Sequence, residues 1–315
     1  MSSENKGTTI SIKRIYNAKI QQVWEAWVDP NQCTQWWGPR GFTISTVRKD
    51  VRKGGDWIYT MHGPDGTNYP NHTKFLEVEH CKKLVYDHGG YEDNPPLFRA
   101  EVSFAELNGK TKMDLNMTFS SAEVAAEARA NIKKASGEST WDRLAEFLEK
   151  QISAKEVFVI NCSFDVDIQT MYEVWTNPKH IMNWMAPTGF TGQYLSADIR
   201  PGGESFYAMT GNGLTMYGKA KYIQLTKPTR IVYTQRFVDK DGKTSRHPMA
   251  PTWPETMKTT VTFCEEAPRK TRVTLEWEVY GEATEVERTT FKNAKAGMTQ
   301  GWTGSFEKLD EYLNR

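Results

Sequence analysis

The chain is predicted to be an α+β protein made of two copies of one unit. Each copy reads as a curved antiparallel sheet wrapped on a long C-terminal helix, with two short helices near its start. Three observations carry that expectation. The sequence repeats itself at an offset of 148 residues. Its middle segments alternate apolar and polar residues with a period of two, and each copy ends on a helical stripe behind a capping-box spacing.

The repeat is the strongest of the three. Ile12–Met61 falls on Ile160–Met209 without a gap, and 17 of the 50 pairs are identical. Unrelated sequence of ordinary composition gives roughly 6% identity, so chance does not produce this. Beyond Met61 the register drifts, but Val85-Tyr86 still answers Val232-Tyr233, and Val102-Ser-Phe104 answers Val261-Thr-Phe263. The boundary falls near Lys150–Lys155 with no Gly/Ser/Pro linker, which places the domains at 8–150 and 155–315.

Composition supports a folded, soluble protein. Aromatic residues make up 12% of the 315 and include 11 Trp, ample surface to bury. The net charge of +1 excludes attachment to nucleic acid through bulk charge. No apolar run approaches the roughly 18 residues of a membrane span, and the first residues resemble no secretory signal. The four Cys lie far apart, without metal-ligand spacing, and read as free thiols in a reducing compartment. A cytoplasmic location follows as the expectation.

Within each unit the elements come in the same order. A strand is expected over Thr8–Tyr16 and over Lys155–Phe164. Two short helices follow, at Ile20–Val28 and Asn31–Trp36, and again at Ile168–Thr176 and Lys179–Trp184. Pro30 and Pro178 separate each pair, because proline has no amide to continue the first helix. About six antiparallel strands come next, seen in Trp57-Ile-Tyr59-Thr-Met61 and Val273-Thr-Leu275-Glu-Trp277. The closing helix opens at Ser120-x-x-Glu123 and Thr284-x-x-Glu287. Its buried stripe pairs Trp141, Leu144 and Leu148 with Phe306, Leu309 and Leu313.

These residues carry a family resemblance. Val23-Trp-Glu-Ala-Trp27, Trp36-Trp-Gly-Pro39, Gly41-Phe42, Arg52-Lys-Gly-Gly55 and Tyr59-Thr-Met61 form the pattern in the first unit. Val174-Trp175, Trp184-Met-Ala-Pro187, Gly189-Phe190, Arg200-Pro-Gly-Gly203 and Gly301-Trp302 repeat it in the second. The chain resembles two tandem START/Bet v 1-like (SRPBCC) domains of the Hsp90-ATPase-activator-homologue branch. The resemblance implies a helix-grip fold with an internal cavity for an apolar small molecule. It does not imply chaperone work, since the co-chaperones carry a separate N-terminal domain with no counterpart in these residues.

Candidate ligand-binding residues follow from alternation and from comparing the copies. Trp57, Tyr59 and Met61 share one sheet face, answered by Ser205, Tyr207 and Met209. Trp36 and Trp184 stand at the end of the second short helix, with Trp37 in the turn that follows. Met117, Trp253, Trp277 and Trp302 complete the set. Each of these packs the core or lines the cavity, and the pattern alone does not separate the two. Trp37 and Arg40 face Met185 and Thr188 across the repeat, and Trp57 faces the small Ser205. The units are therefore expected to differ in cavity size or ligand, and one of them could be a solid core.

The segment Asp239–Pro254 is longer and richer in proline than its counterpart Gly89–Pro96, and is expected to cap the second cavity. His62 and His72 flank the Gly63–Gly66 hairpin and could approach one another. Gly54-Gly55 and Gly202-Gly203 read as turns, with Asp50–Arg52 and Asp198–Arg200 as surface ion pairs beside them.

No nucleophile elbow, metal-binding histidine pair or nucleotide-binding glycine motif occurs, so no catalytic residue, metal or cofactor is expected. The expected function is a non-catalytic binding or carrier protein for an apolar or aromatic small molecule. A cyclase- or aromatase-like enzyme is the alternative, and a chaperone partner is a third reading without support in the residues. A dry cavity of about 300 Å³ would cost on the order of 7 kcal/mol, so a ligand, water or collapsed aromatics must fill it. A monomer is expected, or a weak homodimer through exposed sheet edges.

Overall fold

The computed structural model describes residues 7–89, 95–134, 138–153 and 156–315. Lys155, the expected start of the second domain, lies outside them, as do residues 90–94 of the shorter loop. The chain divides into two compact units, Met1–Ile152 and Ser153–Arg315.

The first unit runs β1 (Thr9–Tyr16), α1 (Ile20–Val28), α2 (Pro30–Trp36), β2 (Thr43–Lys49), β3 (Asp56–His62), β4 (Asn68–Glu79), β5 (Lys83–His88), β6 (Phe98–Leu107), β7 (Lys110–Thr118), α3 (Ala122–Lys134) and α4 (Ser139–Ile152). The second repeats it as β8 (Val157–Phe164), α5 (Ile168–Thr176), α6 (Pro178–Ile181), β9 (Phe190–Ser196), β10 (Glu204–Gly211), β11 (Leu214–Thr226), β12 (Arg230–Val238), β13 (Met257–Ala267), β14 (Lys270–Val279), α7 (Glu285–Asn293) and α8 (Lys295–Leu313). Each unit holds one seven-stranded antiparallel sheet, ordered β1-β7-β6-β5-β4-β3-β2 and β8-β14-β13-β12-β11-β10-β9. The first strand pairs with the last, Ile12 opposite Leu115 and Ile160 opposite Leu275, so each sheet is a meander whose ends are the two earliest strands. This is the α+β helix-grip architecture.

Local chemistry explains the junctions. Pro30 and Pro178 occupy the first turns of α2 and α6, where a missing amide costs nothing, and Asp29 and Asn177 cap those helices. Gly54 and Gly202 take φ of +79° and +82°, while a Cβ on Gly55 or Gly203 would stand 2.2 Å from the carbonyl oxygen of Asp50 or Asp198. One glycine supplies the turn and the other permits the close approach. The ion pairs Arg52–Asp50 and Arg200–Asp198, both 2.8 Å, sit beside these turns.

The structure differs from expectation in several places. First, the closing helix is two helices in each unit. In the second unit the break falls at Ala294, between Asn293 and Gly297, both poor helix formers. Second, Thr284 and Glu287 form the expected capping box, but in the first unit the cap is Ser121, whose hydroxyl accepts from the Val124 amide at 3.3 Å. Third, His62 and His72 do not meet. His62 bonds Ser45 and Asn68, whereas His72 lies farther along the ladder opposite Ile58 and faces Asp56.

The closing helices also match one turn away from the pairing read in the sequence. Trp141 stacks on Trp27 at 5.7 Å, and Trp302 stacks on Trp175 at 6.2 Å. Gln151 bonds Gln32, and Tyr312 bonds His180 at the equivalent position. Trp141 therefore answers Trp302, four residues before Phe306. A slip of four residues keeps the same helical face, so the i, i+3, i+7 stripe could not fix this register.

Candidate functional site

Both units place an indole behind the first helix pair. Trp36 and Trp184 are fully buried and donate their N–H groups to the carbonyls of Ala26 (3.0 Å) and Val174 (3.3 Å). The first bond ties α2 to α1; the second ties α5 to the turn after α6, which ends at Ile181 rather than at the expected Trp184, and Trp184 lies outside the cavity lining of its unit. From this shared frame the two units diverge.

In the first unit aromatic rings occupy the space under the sheet. Trp37 packs against Trp27 (5.5 Å), Trp57 (5.0 Å) and Trp141 (6.1 Å), and its N–H donates to the Tyr59 hydroxyl at 3.0 Å. Trp57 stacks on Tyr59 at 3.9 Å and donates to Thr46 at 3.1 Å. Burial pushes the Tyr59 phenol well above its ordinary pKa, against the opposing effect of the Trp37 bond. Met117 is buried, and Met61 packs at the edge of this cluster.

In the second unit the same region holds a cavity of about 780 Å³. Its floor is the sheet, with Tyr207 and Met209 from β10 and Trp277 from β14. Trp175 on α5 and Trp302 on α8 form a stacked wall, and Trp277 meets Trp302 edge-on at 5.7 Å. The residues expected in this unit's pocket are thereby brought together, apart from Trp184. Met185, at the position of Trp37, lines the opening left by that indole. Ser205, at the position of Trp57, is buried without a ring.

The loop 239–256 supplies His247, Met249, Ala250 and Trp253 to the lining. It is fastened to α7 by the ion pair Arg246–Glu287, by Thr252 against Thr290 at 2.9 Å, and by Trp253 against Phe291. Met249, Asn293, Gly297 and Gly301 line the cavity and are exposed, so it reaches solvent between this loop and the start of α8.

The electrostatic character of the lining is uniform. None of its described residues is Asp, Glu, Lys or Arg. Burial, followed by neighbouring phenols, raises the hydroxyl pKa of Tyr194, Tyr207 and Tyr233, and burial raises that of Tyr222. All four stay protonated at any physiological pH. Burial also lowers the His247 pKa below 6.5, leaving a neutral imidazole at pH 7 whose Nδ1 accepts from the Met249 amide at 3.1 Å. Six methionines complete the wall and allow it to adapt in shape. Among the described residues no cluster of His, Cys, Asp or Glu could hold a metal ion.

Sequence reasoning missed Tyr194, Tyr222 and Tyr233. The repeat held a signal for two of them. Tyr194 stands where the first unit has Thr46. Tyr222 stands where it has Phe75, since both donate their amides to the second glycine of the Gly-Gly turn (3.0 and 2.9 Å). Gain of a phenol where the other copy has a small or apolar residue, on an inward strand face, marks a cavity wall.

A helix-grip unit with an aromatic-lined cavity defines the class of protein. The model of the Activator of Hsp90 ATPase homolog 1-like protein family matches residues 17–149 and 165–314, and the chain belongs to that family. Similar solved structures cover about one unit each. A crystal structure from Nitrosomonas europaea is 21% identical, covering 48% of this chain and 99% of its own, with a TM-score of 0.44. A solution structure from Arthrobacter aurescens is 26% identical over 49% of this chain and 94% of its own, with a TM-score of 0.43. An AHSA1-like protein from Aeromonas hydrophila is 22% identical over 45% of this chain and 93% of its own, with a TM-score of 0.38. No curated protein matches. No helix among the described residues is long and apolar enough to cross a membrane.

Proposed function

We propose that the second unit binds an uncharged, largely apolar small molecule, and that the first unit is a filled copy of the same site. One observation carries this reading: an uncharged cavity of about 780 Å³ that reaches solvent beside a fastened loop. The volume lies within the range of roughly 300–1,000 Å³ typical of small-molecule sites. Water filling an apolar space of this size finds few partners, so an apolar molecule displaces it favourably. Binding or carriage is favoured over chemistry because the lining offers neutral phenols and one neutral imidazole, with no carboxylate, amine or thiol. Four free cysteines suit a reducing compartment, in keeping with a cytoplasmic carrier.

Native mass spectrometry of gently purified protein, followed by denaturation and identification of what is released, tests the proposal. A stoichiometric apolar compound is the expected result. A clean apo mass, together with no saturable uptake of neutral aromatic probes, overturns it.

A further inference from the structure

The cavity wall is uncharged, and its densest polar feature is four phenols gathered on adjacent strands. Tyr194 of β9 faces Tyr207 of β10, with ring centroids 6.4 Å apart, and Tyr222 of β11 faces Tyr233 of β12 at 5.8 Å. Tyr222 lies within electrostatic reach of the other three. The first unit keeps the equivalents of Tyr207 and Tyr233 as Tyr59 and Tyr86, but has Thr46 and Phe75 at the other two positions. The unit with the open cavity thus carries the two added phenols, and the unit filled by Trp37 lacks them.

A buried hydroxyl left without a partner is costly, and a phenol offers one donor and two acceptor sites. Tyr194 and Tyr222 share a hydrogen bond, but a hydrocarbon seated here would strip water from the remaining donor and acceptor sites of the cluster and return nothing. A charged ligand would find no counter-ion in the wall. The helices contribute the near-parallel indoles of Trp175 and Trp302, with Trp277 of the sheet edge-on to Trp302, and such rings suit a flat ring system.

We propose that the ligand of the second unit is a neutral planar aromatic molecule bearing a carbonyl or ether oxygen, which accepts hydrogen bonds from the phenol cluster of Tyr194, Tyr207, Tyr222 and Tyr233 while its rings lie against the tryptophans. This inference rests on the binding role proposed above and names the chemistry that the site selects.

Prodan, a neutral naphthyl ketone whose emission reports hydrogen bonding at its carbonyl, tests the inference on the full chain. Its control is the analogue in which the carbonyl is replaced by a methylene. Prodan is expected to bind saturably at one site per chain, about tenfold more tightly than the control. The Tyr194→Phe/Tyr222→Phe double variant is expected to lose that advantage and to shift the bound emission to the blue, with affinity for the control unchanged. Retained binding of the control shows that the variant is folded, and Tyr222→Phe alone gives a smaller shift in the same direction. Equal affinity of the two probes, or an unchanged preference in both variants, overturns the phenol anchor and leaves the binding role standing. Failure of both probes to bind saturably overturns the binding role and the anchor together.

Discussion

Trp37 donates its indole N–H to the Tyr59 hydroxyl at 3.0 Å, and in doing so places its ring in the space that the second repeat leaves open. The corresponding pair is Met185 and Tyr207, both of which line the cavity. The two units share a backbone plan, the wedge of Trp36 or Trp184 and the indole stack between the first short helix and the closing helix. They differ in whether the volume under the sheet is occupied by the chain itself.

Restoring the indole should close the second cavity. Met185→Trp is expected to abolish uptake of a neutral aromatic probe while leaving the thermal midpoint unchanged or higher, because the added ring fills space rather than displacing packed atoms. Fluorescence titration and calorimetry check both halves. Undiminished uptake would show that the ligand lies elsewhere.

The converse substitution should be costly. Trp37→Met removes ring contacts with four other tryptophans and leaves Tyr59 without its donor. The first unit is expected to lose about 2–3 kcal/mol, read from denaturant unfolding. It should also gain a weak second probe site that the unaltered chain lacks.

Gly218 controls the floor. A Cβ there would stand 2.4 Å from the Tyr207 ring, so the phenol rests directly against the backbone of β11. Gly218→Ala is expected to lift that ring into the cavity, weakening probe binding several-fold and costing about 1–3 kcal/mol of stability. Binding equal to the parent would mean that Tyr207 yields in another direction.

Much of this was open to a reader of the sequence, and the parts that were not share a cause. The repeat of Trp27, Trp36 and Tyr59 specified two equivalent folds, and the strand alternation placed Tyr207, Met209 and Trp277 on the inward face. The same alternation could not separate a core ring from a cavity ring, because both point inward; Trp57 and Trp277 look alike until the volume around each is known. The helix stripe hid a one-turn slip between Trp141 and Trp302 for the related reason that periodicity records a face and not a height. Tyr194 and Tyr222 needed a comparison between the copies, position by position, with attention to gained phenols.

One part of the pH response of stability should come from the half-buried His88. Burial lowers the His88 pKa from 6.5 to about 4, and its ring stacks on Phe98 at 4.7 Å. The unfolded chain therefore binds a proton that the folded chain refuses. Stability is full above pH 6.5 and falls as the pH drops toward about 4, below which this contribution is flat. His88→Phe is expected to keep the stacking and flatten the slope in that window, measured as the thermal midpoint at successive pH values. An unchanged slope would assign the effect to other groups.

The loop over the cavity should release its ligand faster once its tether is cut. Glu287 receives the Thr284 amide at 2.8 Å as part of the capping box, and its other oxygen takes the Arg246 guanidinium of the loop. The Thr284 amide first, and then Arg246, hold the Glu287 carboxyl below its ordinary value of 4.5. The tether is thus intact above that value and is lost as the pH falls through the depressed one. Glutamine at this position can still complete a capping box, so Glu287→Gln separates the tether from the cap. The variant is expected to keep α7 folded by circular dichroism and to raise the dissociation rate of a bound neutral probe several-fold at pH 7, followed by stopped-flow displacement. Trp253 against Phe291 and Thr252 against Thr290 still hold the loop, which is why the rate should rise by a modest factor rather than become immeasurably fast. An unaltered rate would mean that the ligand leaves without movement of this loop, through the exposed gap beside Gly297 and Gly301.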